Sequence, residues 1–444
     1  MVQDSRYLER AIVHRERVVW EITNISGPLD VLRELRELAA RRIPEHERKH
    51  LLKKLERRAW DLLTRFSPLD LSRTLVHYGA MGLRPGQAML QGMERQVLAR
   101  MGSYNAAAIS MTFHAFGKMG AVIGDYELFE GLEKKAVSLI HTFTRNQIVT
   151  TLAGFADLGQ EPGERLMDGL QHRALDTMKD FSCDQIGSMM RAFATLTVTP
   201  EMRLHPGEKL MACVKERAYV TTWGLSPREL SECMWSFAIL REQPGDKLMR
   251  VARERAFSMM GGFEAQEVAT LLWAMATLNV KPGPMLMTSI RERVGCTVAQ
   301  LRARHLSRVL WAFASLKEPP GVGLLATLRS HVCSEMNAFG EEDLAATLWA
   351  FATIGRSPGG RTLRFIKDRA RMCAESFRAR EVSQIVWAFG KLEKDPGERL
   401  LEDLYAAIVR CGSGMTAKEV SNCLWGLARL GDRGLGDTKG GGGK

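Results

Sequence analysis

Leu310-Trp311-Ala312-Phe313-Ala314 recurs along the chain almost unchanged. The same five positions read Met234-Trp235-Ser236-Phe237-Ala238, Leu272-Trp273-Ala274-Met275-Ala276, Leu348-Trp349-Ala350-Phe351-Ala352, Val386-Trp387-Ala388-Phe389-Gly390 and Leu424-Trp425-Gly426-Leu427-Ala428. The tryptophans follow one another at 38 residues each time. Upstream the pattern continues without tryptophan, in Leu75-Val76-His77-Tyr78-Gly79, Phe113-His114-Ala115-Phe116-Gly117, Leu152-Ala153-Gly154-Phe155-Ala156 and Met190-Arg191-Ala192-Phe193-Ala194. Those steps are 38, 39 and 38 residues, and one step of 44 leads to Trp235. A period of this size is the signature of a stacked array, whose units bury their apolar faces only against their neighbours.

Residues 267–304 show what one unit is. Val268, Leu271, Leu272, Met275 and Leu278 form an amphipathic helical stripe, and Ala269, Ala274 and Ala276 leave room for a neighbouring helix. After a short turn, Pro282-Gly283 opens a second helix carrying Leu286, Met287, Ile290 and Val294; proline suits a first helical turn because its missing N–H is not needed there. A Pro-Gly pair punctuates nearly every unit. The expected fold is all-α: an α-solenoid of about ten 38-residue helix-turn-helix repeats, wound as a right-handed superhelix, over residues 67–431. Residues 1–66 do not match the period and read as an N-terminal helical cap region, with helices over Tyr7–Ile25, Pro28–Arg42 and Pro44–Phe66. Residues 432–444 read as a flexible Gly-rich tail. No second helix follows Trp425, so the last repeat is expected to be cut short or completed by a protein partner.

Composition narrows the function. A net charge of +11 and a pI near 9.3 favour an anionic partner such as RNA. No apolar run approaches the ~18 residues of a membrane span. The eight cysteines include no CxxC pair and read as small core residues of a protein in a reducing compartment. The histidines lack metal-ligand spacing, no catalytic constellation stands out, and no cofactor is expected. The basic N-terminus is interrupted by Asp4, Glu9 and Glu16, unlike a transit peptide.

Taking tryptophan as position 0 of the first helix and advancing 100° per residue, the aliphatic positions gather on one side and positions −7, −6, −3 and +4 on the other. Position −3 runs Arg73, Met111, Thr150, Ser188, Glu232, Thr270, Arg308, Ala346, Gln384, Asn422. A constant scaffold with one varied, mostly hydrogen-bonding side chain per repeat is how a modular single-strand RNA reader is built. Position −6 is acidic or amide in Asp70, Gln147, Gln185, Glu229, Glu267, Asp343, Glu381 and Glu419, as the positive end of a helix favours. The second helix carries two basic rows counted from its proline. Eleven residues on stand Arg173, Arg217, Arg255, Arg293, His331 and Arg369; nine residues on stand Lys215, Arg253, Arg291, Arg329 and Lys367. Rows of this kind can follow a phosphate backbone. The tryptophans read first as packing between adjacent repeats and second as base-stacking platforms.

The period of 38, the paired helices, the Leu-Trp-Ala-Phe-Ala core and the proline turn resemble the octotricopeptide repeat family and the related heptatricopeptide repeats, over about residues 67–430. The family's frequent proline run followed by Glu-Trp is absent, with only Pro319-Pro320 in its place, and no RAP domain follows, so no nuclease activity is implied. The resemblance implies a mitochondrial or plastid RNA-binding protein acting in transcript stability, processing, splicing or translation. The expectation is therefore a non-enzymatic reader of single-stranded RNA; the alternative is a protein-binding scaffold or ribosome-associated assembly subunit.

Overall fold

The computed structural model describes residue 22 and residues 25–40, 43–120, 126–198 and 205–434. Most of the first helix expected from the sequence, Arg41, Arg42, most of the long turn around residues 199–204, and residues 435–444 of the tail lie outside the described residues. Every regular element among the described residues is helical. In chain order the α-helices are α1 (Pro28–Ala40), α2 (Glu45–Leu62), α3 (Pro68–Ala80), α4 (Gln87–Ala99), α5 (Ala106–Met119), α6 (Tyr126–Leu139), α7 (Arg145–Leu158), α8 (Glu164–Thr177), α9 (Cys183–Val198) and α10 (Glu208–Thr221). They continue as α11 (Pro227–Ile239), α12 (Asp246–Ser258), α13 (Ala265–Thr277), α14 (Pro284–Thr297), α15 (Ala303–Ser315), α16 (Val322–Glu335), α17 (Glu341–Ile354), α18 (Gly360–Cys373), α19 (Ala379–Leu392), α20 (Glu398–Cys411) and α21 (Ala417–Gly434).

The chain divides into two compact units, Met1–Ala218 and Tyr219–Lys444. Within each, odd-numbered (A) helices pack on the next A helix and even-numbered (B) helices on the next B helix. This sequential neighbour packing is that of an α-solenoid. The A layer is the tighter of the two because its contact positions are small. A Cβ on Gly154 would lie 2.6 Å from the Phe113 carbonyl carbon, and one on Gly117 would lie 2.5 Å from the Gly154 oxygen. In the second unit Gly426 would meet the Val386 oxygen at 2.6 Å. Position +1 (Gly154, Gly426) and position +3 (Gly117) of an A helix thus rest on the backbone of its neighbour, which is why small residues mostly fill them.

Each hairpin is closed by two local devices. A short 3-10 turn after each B helix leads into the next A helix through one residue that is buried in Phe66, Tyr104, Phe143, Phe181, Leu225, Phe263, Leu301, Phe339 and Phe377 and half-buried in Met415. Ile25 holds the same place before α1. The stretch Ser26-Gly27-Pro28-Leu29-Asp30 matches Ser67-Pro68-Leu69-Asp70 with one glycine added, and α1 packs on α3 as A helices do. The α1–α2 pair therefore has the geometry of a repeat. Between A and B helices, buried prolines such as Pro85, Pro244 and Pro320 precede a glycine that starts the B helix.

Candidate nucleic-acid interface

The wheel drawn from the sequence has a physical counterpart. Leu310, Phe313, Leu348 and Phe351 are fully buried, whereas Trp235, Trp273, Trp311, Trp349 and Trp387 are half-buried and Trp425 is 39% exposed. The −3 residues Thr150, Ser188, Glu232, Thr270, Arg308, Gln384 and Asn422 are half-buried on the same side, and Arg73 is exposed. The tryptophans form a ladder across repeats: Trp311 and Trp349 lie 6.3 Å apart between ring centroids at 32°, and Trp387 and Trp425 lie 6.2 Å apart at 35°. They pack between neighbours and remain partly exposed to solvent. The Arg308 guanidinium sits 5.1 Å over Trp273, so the −3 side chain of one repeat lies against the tryptophan of the repeat before it. Burial, then Arg304, lowers the Arg308 pKa from its ordinary value.

The −3 residues differ in what already holds them. Glu232 accepts from Arg228 Nε at 2.9 Å, and Thr270 Oγ1 donates to the Gln266 carbonyl at 2.7 Å. In the first unit position 0 holds Val76, His114, Ala153 and Arg191, and Arg36 stands in the corresponding place on α1. Burial, then Arg36 and Arg73, holds His77 below the usual imidazole pKa; burial, then Lys118, does the same for His114.

The acidic −6 column is taken up by the backbone. Asp70 accepts the Ser67 N–H, Gln147 that of Thr144, Gln185 that of Ser182 and Glu229 that of Ser226. Glu267, Asp343, Glu381 and Glu419 accept likewise from Glu264, Gly340, Arg378 and Thr416. These carboxylates and amides cap helix N-termini, and much of the carboxylates' charge is spent there.

The two basic rows lie in the B layer, and their hydrogen bonds are specific. Arg173, Arg217, Arg255, Arg293 and Arg369 each donate Nε–H to the carbonyl of the residue leading into their own A helix: Phe143, Phe181, Leu225, Phe263 and Phe339, at 3.0, 2.7, 3.1, 2.6 and 2.9 Å. His331 Nε2 makes the same contact with Leu301 at 2.8 Å, and Arg58 does so with Ile25 at 2.9 Å. This row is a clamp that closes each hairpin. The other row sits in the seam toward the next repeat: Arg329 stacks 5.8 Å from the Phe351 ring and Arg291 pairs with Glu318 at 3.1 Å. Phe351 is two residues after Trp349, about 200° round the helix. The rows therefore stand across the A layer from the −3 column and do not share a face with it. Arg253, Arg291 and Arg329 keep a buried Nε without a hydrogen-bond partner among the described residues. Lys215 and Lys367, in the same column, are half-buried.

The seam column changes character along the chain. Its earlier members are Glu56, Glu94, Glu133 and Gln171. Glu56, Glu133 and Gln171 accept the N–H of the glycine that starts the next B helix: Gly86 at 3.0 Å, Gly163 at 2.8 Å and Gly207 at 3.2 Å. A cation cannot accept that bond. Where the column is cationic the Pro-Gly glycine has turned over: φ is −56° at Gly86 and Gly163 but +88° at Gly245, +89° at Gly283, +90° at Gly321, +88° at Gly359 and +84° at Gly397. The N–H then finds Ser357 Oγ for Gly359 and Asp395 for Gly397. The lead-in residues and this carboxylate-to-cation change escape a reading of the sequence that follows only the tryptophans and the basic residues. Their signal is column alignment over all the hairpins.

A family model described as RNA-editing substrate-binding complex 6 protein matches residues 35–283, more than half of the chain. The chain belongs to this family. A second model, the Tbc2 translation factor N-terminal domain, matches residues 285–440. No curated protein matches the chain. Among structures, a homology model of the full-length AP-3 complex in an intermediate open conformation is 11% identical, with a TM-score of 0.34, over 95% of this chain and 77% of that chain. Among the described residues no helix is long and apolar enough to cross a membrane, and no cluster of His, Cys, Asp or Glu could hold a metal ion.

Proposed function

We propose that this protein binds single-stranded RNA along the exposed face of its A helices, as a non-enzymatic part of a mitochondrial RNA-editing or translation assembly. The observation that carries this is the shared face: half-exposed tryptophans, one per repeat in the second unit, stand beside a −3 side chain that varies from repeat to repeat. Aromatic rings offer stacking to any base, and the neighbouring side chain offers an edge to read. The family match to an RNA-editing substrate-binding complex protein and the match to a translation factor domain support the RNA reading. The octotricopeptide resemblance supports the same reading and the organellar address. The basic rows of the B layer are not part of this interface.

The test uses the tryptophans as reporters. Titration with a single-stranded RNA of about ten nucleotides, one per repeat, should quench their fluorescence, and a duplex of equal length should not. Trp349→Ala and Trp387→Ala should each weaken binding by about tenfold or more. Unquenched fluorescence, or affinity indifferent to both substitutions, would overturn the reading. An assembly scaffold is the second reading. Crosslinks from α21 to protein, with none from the A face to RNA, would select it.

A further inference from the structure

The tryptophan ladder is uneven, and over the four steps from Trp273 to Trp425 the unevenness follows the −3 column; Trp235 and Trp273, with the short Thr270 between them, make no ring contact among the described residues. Between Trp311 and Trp349 the −3 residue is Ala346, and the two rings are in contact. Between Trp387 and Trp425 it is Asn422, and those rings are also in contact. Between Trp273 and Trp311 it is Arg308, which lies over Trp273. Between Trp349 and Trp387 it is Gln384. Among the described residues neither of these last two tryptophan pairs makes a ring contact. A short −3 residue lets neighbouring tryptophans stack on each other, and each ring is then the other's partner. Where it is long the rings are not in contact, and Arg308 is seen to lie over Trp273.

The two long side chains also keep their hydrogen-bonding groups unpaired, although the Arg308 guanidinium rests on Trp273. Glu232 is held by Arg228, and Thr270 by its own helix. Arg308 and Gln384 have no hydrogen-bond or ion-pair partner among the described residues. A guanidinium presents paired donors that fit O6 and N7 of guanine; a carboxamide presents a donor and an acceptor that fit N7 and N6 of adenine. In a single strand those edges are open to a protein.

We propose that the second unit reads two purines separated by one unread nucleotide: a guanine at Arg308 and an adenine at Gln384, with Ala346 reading nothing between them. The inference rests on the RNA reading above and gives it a sequence. One base per repeat places the two readers two nucleotides apart. The ligand is a single strand containing G-N-A in one polarity or the other, running beside Trp273 and Trp349.

Fluorescence anisotropy with the full chain and labelled twelve-nucleotide oligouridines tests it. The probes carry G-U-A, A-U-G, G-A or G-U-U-A, with plain oligouridine as reference. One of the first two should bind about tenfold tighter than every other probe. Arg308→Gln should move the preference at its base from guanine to adenine, and Gln384→Glu should move it from adenine to cytosine, whose amino group a carboxylate accepts. Ala346→Gln should add a requirement at the middle nucleotide. If the protein binds all probes alike, or keeps a preference that neither Arg308→Gln nor Gln384→Glu alters, the inference falls and RNA binding stands. If it binds none, both fall.

Discussion

The two units solve the same seam in opposite ways. In the unit ending at Ala218, Glu56 and Glu133 reach from one B helix to cap the glycine that starts the next, and that glycine keeps an ordinary backbone. In the unit beginning at Tyr219 the corresponding residues include Arg253, Arg291 and Arg329, and the glycine has crossed to positive φ. The tryptophan column starts in the second unit as well, at Trp235. The helix C-termini differ in the same sense: Gly82, Gly120 and Gly159 take the left-handed position in the first unit, while Arg241, Asn279, Lys317 and Glu393 take it in the second, alongside Gly355. One repeat pattern thus supports two local chemistries. The half with the aromatic face is also the half in which more backbone strain is tolerated.

The comparison can be broken most forcefully at the A layer. Gly154→Val would drive a side chain into the Phe113 and His114 backbone, and the first unit should lose about 3 kcal/mol. Seven of the nine tryptophans stand after residue 218, so urea unfolding followed by fluorescence reports mainly on the second unit, while circular dichroism reports on both. The variant should lose ellipticity early and fluorescence late. Coincident early transitions would mean that the units do not unfold separately.

The next effect concerns the glycines. Gly283→Ala puts a Cβ where φ is +89° and should cost about 1–3 kcal/mol. Arg253→Glu supplies the acceptor found in the first unit and should let the Pro-Gly backbone return to negative φ. The double variant should then recover about 1 kcal/mol relative to the sum of the singles. Strict additivity in urea midpoints would show that the seam residue does not set the turn. A smaller gain is expected from Lys317→Gly, which relieves a left-handed lysine at φ +57° and should raise stability by about 0.5–1 kcal/mol.

The smallest effect tests the carboxylate seam itself. Burial raises the Glu133 pKa above its ordinary value, the Gly163 N–H opposes this, and Glu130 adds to it. A carboxyl with a raised folded pKa favours the fold at low pH and loses that contribution as pH rises through the folded value. Glu133→Gln keeps an acceptor, as Gln171 does one repeat later. It should raise the melting temperature slightly above that pKa and not at all well below it. A difference that grows on acidification would contradict the burial argument.

Much of this is legible in the chain. Helix type follows from apolar spacing, the repeat from Trp235 to Trp425, and the capping role of the acidic column from residues such as Glu229 and Glu267, placed three residues after their N-caps. The α1–α2 hairpin is hidden because Gly27 adds one residue ahead of Pro28 and neither period nor tryptophan flags it. The clamp is hidden for another reason. Arg255 and Arg293 carry the same charge whether they face solvent or a carbonyl, and only the folded hairpin brings the Leu225 and Phe263 carbonyls to them. The reading face lies between these cases: the varied −3 column is visible, but the unlike commitments of Thr270 and Gln384 need coordinates.

The clamp also says where one copy of the motif ends. Because Arg255 grips Leu225 and Arg293 grips Phe263, each bond closes within a single hairpin and none is shared with the next. Between these two, the stretch that neither clamp spans is the end of α12 and the 3-10 turn after it, residues 256–262. A cassette cut there carries its own fastening and one interchangeable letter at position −3. Duplication, deletion or deliberate exchange of such cassettes would lengthen, shorten or respell the message read, without a new lock being invented.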